Sequence, residues 1–157
     1  CLMEILRRLS KNTCELYAVF TVQEEVGLRG AKVSGFEIAP EIAIALDVTL
    51  SGDHPDAEST AASLGKGAAI KIRDRSAICS KEIVEDFENI AARKGIPSQR
   101  DVLSAGGTDI GSVQLLGQGV KVGGISVPIR YCHSATEMAD RRDIEAAIGL
   151  LTAYLEK

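Results

Sequence analysis

The stretch Glu41-Ile-Ala-Ile-Ala-Leu-Asp-Val-Thr-Leu50 is apolar almost throughout, and Ser51-Gly-Asp-His-Pro55, a cluster of turn residues, closes it. It reads as a strand, with Asp47 standing alone inside it. Before it, Glu15 to Gln23 alternates well enough for a buried strand, and Gly27-Leu-Arg-Gly30 turns into a short helix to about Ser34. Further upstream, a first helix runs to about Leu9 and ends in the polar turn Ser10-Lys-Asn-Thr13. After it comes a loop from Asp53 to Gly67, then a short strand from Ala68 to Ile72. A helix from about Ser80 to Lys94 is stopped by Gly95, with Pro97 just beyond. Asp101 to Leu103 reads as a short strand, and Gly106-Gly-Thr-Asp109 opens a helix of a couple of turns. Val120 to Ile129 is another strand, running into Arg130-Tyr-Cys-His-Ser134, and a last helix spans about Ala139 to Glu156. Strands alternating with helices at this spacing predict an α/β fold, a three-layer α/β/α arrangement with a mostly parallel mixed sheet. No internal repeat or linker divides the chain, so it is one domain or the larger part of one.

With 157 residues and 45% hydrophobic content the chain supports a single core. A domain of this size buries roughly 68–70% of its unfolded surface. The balance of 18 basic against 22 acidic residues gives a net charge of −4, and no Lys/Arg stripe is present to neutralise successive phosphates. Nucleic acid is excluded as a partner on that ground. Apolar stretches such as Ile42-Ala-Ile-Ala-Leu46 fall far short of the roughly 20 residues that span a bilayer, so no membrane partner is expected. Cys1, Cys14, Cys79 and Cys132 form no Cys-x-x-Cys pair and are expected to be reduced and mostly buried, in a cytoplasmic protein. Leu2, Ile5, Leu6 and Leu9 keep helical period from the first residues with no capping signal before them. The expectation is a chain that starts inside a helix, with residues upstream of Cys1 missing and no secretory leader pattern.

The chemistry-bearing residues sit at or near strand ends: the adjacent pair Glu24-Glu25 before a glycine turn, Asp47, and His133. Open α/β sheets hold ligands at such ends. A buried ionised group is costly unless paired or metal-bound, so Asp47 among its apolar neighbours needs a partner, and a metal is one candidate. An oxygen and nitrogen donor set with no suitably spaced thiolates suits zinc, cobalt or manganese, and hydrolysis is its usual use. Adjacent glutamates then divide the labour, one coordinating and the other taking a proton from a water acidified to a pKa of about 7. Neighbouring side chains on an extended strand point apart, so both aim inward only if the chain bends, which Val26-Gly27 could supply. The blander readings are a solvated strand end for Glu24-Glu25, a salt-bridged structural aspartate for Asp47, and a satisfied structural histidine for His133. His54, between glycine and proline, reads as an exposed loop residue, and Gly65-Lys-Gly67 lacks the phosphate-loop pattern.

Four motifs, Gln23-Glu-Glu-Val-Gly-Leu-Arg-Gly-Ala31, Leu46-Asp-Val-Thr49, Gly106-Gly-Thr-Asp109 and Arg130-Tyr-Cys-His-Ser134, occur in the order and rough spacing of the tetrahedral (TET) metallo-aminopeptidases. The chain resembles that family over essentially its whole length. The family is sometimes labelled glutamyl aminopeptidase and, by older misassignment, endoglucanase, and its fold is the zinc-peptidase-like α/β/α domain. The resemblance implies that Glu24 is the general base, that Glu25 shares one metal with His133, and that Asp47 is a ligand of the other metal. It implies two divalent ions, zinc or cobalt foremost and manganese also accommodated, and peptide substrates. Gly107, Thr108 and Asp109 match a segment that lines the family's substrate pocket, where backbone donors at a glycine turn suit a carbonyl or carboxylate. Cys1 resembles the cysteine that follows the family's Asp-[Asp/Asn]-Arg-x-Gly segment.

The family's remaining ligands, a histidine far upstream and a bridging aspartate just before the Cys1 position, lie outside residues 1–157. So does its inserted second domain, which supports homo-oligomeric assembly. On the resemblance, residues 1–157 are the C-terminal part of a single metallopeptidase catalytic domain. A truncated, catalytically incomplete fragment with a structural or assembly role is the alternative. A glycoside hydrolase fits less well: retaining glycosidases need two carboxyl groups about 5–5.5 Å apart across a sugar, and the chain has no Trp and only 4% aromatics.

Overall fold

The computed structural model describes every residue except 56, 58, 59 and 61, so part of the predicted 53–67 loop lies outside the described residues. Helices α1 (Leu2–Arg8) and α2 (Arg29–Ile38) precede strand β1 (Ile42–Leu50). There follow β2 (Ala68–Arg73), α3 (Lys81–Lys94), β3 (Ser98–Val102), α4 (Ile110–Val113), β4 (Lys121–Arg130), the two-residue β5 (Met138–Ala139) and α5 (Arg141–Leu155). The sheet runs β1-β4-β2-β3, with β5 added to β4. It is mixed: β1/β4 and β2/β3 are parallel pairs, joined by an antiparallel β2/β4 contact.

Packing follows from side-chain pattern. In α3 the buried residues Ile83, Val84, Phe87, Ile90 and Ala91 recur at helical spacing and form one apolar stripe. Gly95 ends that helix in the left-handed conformation, where glycine carries no Cβ penalty. Strand β4 is buried along nearly its whole length. α3 lies so close to it that a Cβ at Gly123 would fall 2.5 Å from Ile83 and 3.3 Å from Phe87. Asp140 caps α5 by accepting the Arg142 N–H at 2.8 Å, and the Tyr154 ring of α5 lies 4.7 Å from that of Phe87. No described helix is long and apolar enough to cross a membrane.

Several sequence expectations change. The strand expected over Asp101–Leu103 runs over Ser98–Val102, and the helix after Gly106–Asp109 is a single turn, Ile110–Val113. The run Glu15 to Gln23 is not a strand: it pairs with no other strand among the described residues, and Tyr17, Val19, Phe20 and Val22 are exposed. Alternation alone does not make a strand, because a ladder needs a partner. α2 continues past Ser34 to Ile38, since the Ser34 hydroxyl folds back onto the Gly30 carbonyl at 2.9 Å and does not break the helix. The helix stops only at Ala39, left-handed and followed by Pro40. The four cysteines are free as expected, but Cys1 and Cys14 are exposed, Cys132 is half-buried and only Cys79 is buried.

One polar pair crosses the sheet. The Lys71 ammonium on β2 donates to Asp101 Oδ2 on β3 at 2.7 Å, both side chains fully buried. Lys71 adds positive charge beneath the site described next and opposes the rise in the Asp47 pKa.

Candidate metal-binding and catalytic site

The bend required at the paired glutamates is present. Gln23 and Leu28 adopt positive φ, Gly27 has φ +120, and the Gly27 and Leu28 N–H groups both donate to the Glu24 carbonyl, at 3.1 and 2.9 Å. Gly30 closes the bend by donating its N–H to the Val22 carbonyl at 2.9 Å. A Cβ there would lie 2.5 Å from that carbonyl oxygen, so the motif's second glycine is set by close backbone approach.

This bend leaves Glu24 half-buried and Glu25 exposed, and Glu25 meets His133 from 108 residues further along. The contact is His133 Nε2 to Glu25 Oε1 at 3.1 Å, with side chains 72% and 71% exposed. An ion pair so open to water contributes little stability. Its value lies in the pairing of an imidazole nitrogen with a carboxylate oxygen, a donor combination suited to a first-row divalent ion. His133 is itself in the left-handed region (φ 61), as is Tyr131 (φ 58), in the turn leaving β4. Each such residue costs of order 1–3 kcal/mol and persists only where its surroundings impose it.

Behind this pair lies a group of acids. Burial pushes the Glu24 carboxyl pKa up, and the Asp47, Asp109 and Glu25 charges push it further. Asp47, half-buried on β1, is likewise raised by burial, with Asp109 and Glu25 adding to the rise. The Val48 N–H, 2.7 Å from Asp47 Oδ1, and the Lys71 charge offset part of it. Clustered carboxylates with raised pKa values mark a place where a cation relieves mutual repulsion. The donors fit a metal in type, and Glu25 and His133 fit it in position. Among the described residues, however, no three His, Cys, Asp or Glu side chains converge into a complete ligand set.

A group whose folded-state pKa is raised contributes stability that is present below its unfolded pKa and lost as pH rises through the folded value. The metal-free chain is therefore expected to lose stability as pH climbs from the ordinary carboxylate range through the raised Asp47 value. Asp47→Asn retains an acceptor for the Val48 N–H and removes the charge. It should raise the midpoint of thermal unfolding in chelator at neutral pH. An unchanged or lower midpoint would contradict this electrostatic account.

The pocket segment divides. Asp109 accepts the Thr21 hydroxyl at Oδ2, 2.7 Å away, while its Oδ1 is buried without a hydrogen-bond partner among the described residues. The Thr108 side chain is buried and its hydroxyl donates to Asp74 at 3.2 Å, which commits it to the loop and leaves only its backbone for a ligand. Gly107 is exposed, with the Ser76 side chain where a Cβ would go. Several site neighbours were not singled out in the sequence: Thr21 on Asp109, Lys71 beneath Asp47, and an Arg130–Asp53 pair at the root of the His133 turn. Arg130 opens the Arg-Tyr-Cys-His-Ser motif, which was its only local signal. His54 is half-buried against Tyr131, with ring centroids 4.9 Å apart, and is not the exposed loop residue its flanking Gly and Pro predict.

Residues 1–150 match the family model described as M42 glutamyl aminopeptidase. The chain belongs to this family. It is a family of metal-dependent aminopeptidases. A relative described as a putative aminopeptidase from Acetivibrio thermocellus is 48% identical over 149 residues, covering 95% of this chain and 45% of its own. The aminopeptidase APDkam598 from the archaeon Desulfurococcus kamchatkensis superposes with TM-score 0.96 at 41% identity, covering 99% of this chain and 45% of that one. The TET1 peptidase of Pyrococcus horikoshii, described as able to assemble into a tetrahedron or a large octahedral shell, matches with TM-score 0.74 and 37% identity. That match covers 87% of this chain and 39% of the TET1 chain. The M42 chain described here therefore spans less than half the length of these relatives.

Proposed function

We propose that this M42 chain is the C-terminal part of the catalytic domain of a metal-dependent aminopeptidase, which removes N-terminal residues from peptides. The observation that carries the reading is the meeting of Glu25 and His133 at 3.1 Å beside the half-buried Glu24. Glu25 and His133 would hold one divalent ion and Asp47 a second, zinc or cobalt foremost and manganese also accommodated, with further ligands supplied from outside residues 1–157. Such ions polarise the scissile carbonyl and lower the pKa of water to about 7.

Within the chain, the Glu24 carboxylate accepts the proton of the attacking water and passes it to the nitrogen of the leaving peptide. The base works only when ionised, so turnover falls once the pH is low enough to protonate it. The 106–109 turn lines the approach, with the Gly107 and Thr108 backbone toward substrate and Asp109, held on Thr21, completing that wall. The shell described for TET1 makes homo-oligomeric assembly the proposal for the whole protein.

The test joins composition to activity. Intact mass and metal content are measured on the purified whole protein, and hydrolysis is followed on an aminoacyl anilide with its amine free or acetylated. The expected result is two metals per chain, cleavage of the free-amine substrate alone, and loss of cleavage on chelation. Equal cleavage of the acetylated substrate would overturn the aminopeptidase reading. A protein of residues 1–157 alone that holds no metal would establish the incomplete-fragment alternative.

A further inference from the structure

The turn that carries His133 is rooted in a contact that the peptidase reading does not use. Arg130, the last residue of β4, forks onto Asp53: Nε donates to Oδ1 at 2.9 Å and Nη2 to Oδ2 at 3.0 Å. The same carboxylate accepts the Leu64 N–H at 3.0 Å, so two limbs of the loop after β1 converge on it. Beside it the His54 ring lies against Tyr131, and the Ser51 N–H donates to the Ile129 carbonyl at 3.0 Å. The Arg130 guanidinium holds the Asp53 carboxyl well below the usual carboxylate range.

Beyond this root the backbone turns left-handed at Tyr131 and again at His133. Within the turn the His133 N–H donates to Glu137 Oε1 at 2.7 Å and the Ser134 N–H to the Tyr131 carbonyl at 3.1 Å. Its far limb returns to the sheet, where β5 pairs with β4 and Met138 stands opposite Arg130. The planar fork adds a side-chain constraint at that same Arg130, because guanidinium and carboxylate meet in one geometry.

We propose that Asp53, acting through Arg130, is a positioning residue that aims the His133 imidazole at the cation shared with Glu25, with His54 bracing Tyr131 from the same loop. The proposal rests on the reading of His133 as a metal ligand. Partners that hydrogen-bond a metal ligand directly typically affect affinity about 10–100-fold, and Asp53, which acts through Arg130 and the backbone, is expected at the lower end of that range.

The test is a Co²⁺ titration of the whole protein followed by visible absorption, for wild type, Asp53→Asn, His133→Ala and the control Glu88→Gln. Glu88 receives an equivalent fork from Arg100, at 2.6 and 3.1 Å, on α3 and β3, which carry none of the proposed ligands. His133→Ala should lose one Co²⁺ site. Asp53→Asn should weaken that same site about 10-fold and change its absorption band, with no greater loss of thermal stability than Glu88→Gln, which should leave Co²⁺ binding unchanged. Asp53→Asn with wild-type affinity and band shape, while His133→Ala loses the site, would overturn the positioning role alone. His133→Ala binding like wild type would overturn the ligand reading and the positioning role with it. If Asp53→Asn does not fold, Arg130→Lys, which keeps the charge and loses the fork, is read by the same criterion.

Discussion

Glu24→Gln is expected to lower kcat about 10²–10⁴-fold, the contribution typical of a positioned general acid–base, while bound metal per chain stays unchanged. Glutamine keeps the volume and one acceptor of the side chain, so the bend around it is retained; its backbone contacts, the Gly27 and Leu28 N–H groups on the residue 24 carbonyl, do not involve the side chain. What is lost is a group able to take and return a proton. A base that must be ionised also gives the wild-type protein an acid limb in kcat/KM, and the residual activity of the variant should lack that limb. Turnover within a few-fold of wild type would mean that the base lies elsewhere, with Asp109 the neighbouring carboxylate to examine first.

Glu25→Ala and His133→Ala form the second large expectation. Each removes one of two donors that stand 3.1 Å apart, and each should release one metal while the protein remains folded. Both side chains are exposed, so neither substitution opens a cavity in the core. Elemental analysis after gel filtration gives the answer directly. Full metal content in both variants would remove the basis for a site here, whereas loss in one alone would separate a ligand from a bystander. The contrast with Glu24→Gln is informative: the base and the ligand are sequence neighbours, and one should cost turnover where the other costs metal.

Much of this was legible along the chain because it is local. The α3 stripe with its Gly95 stop, the apolar β1 and β4 runs and the amphipathic α5 each carry their signal within a dozen or so residues. Glu24, Glu25, Asp47 and His133 could be named for the same reason, as charges at the ends of apolar runs. The rest depends on chain partners far away in sequence. Lys71 sits inside a short strand with nothing local to mark its partner Asp101, 30 residues on. Asp53 looked like a turn residue, although its partner Arg130 lies 77 positions away. The Thr108 hydroxyl is bonded to Asp74, 34 positions earlier, which leaves its backbone for the pocket reading. The Glu15–Gln23 run differs for the converse reason: it has the alternation of a strand and, among the described residues, no neighbour that pairs with it.

That unpaired run and the outer side of β1 have a bearing on how the chain behaves in company. β1 is hydrogen-bonded along one side only among the described residues, and Ile42 and Val48 are 46% and 43% exposed along it. A bare strand edge with apolar side chains is a template on which any extended backbone can crystallise into register, whatever its sequence. Produced as an isolated polypeptide, these residues would have solubility governed less by their net charge of −4 than by how quickly that edge is occupied.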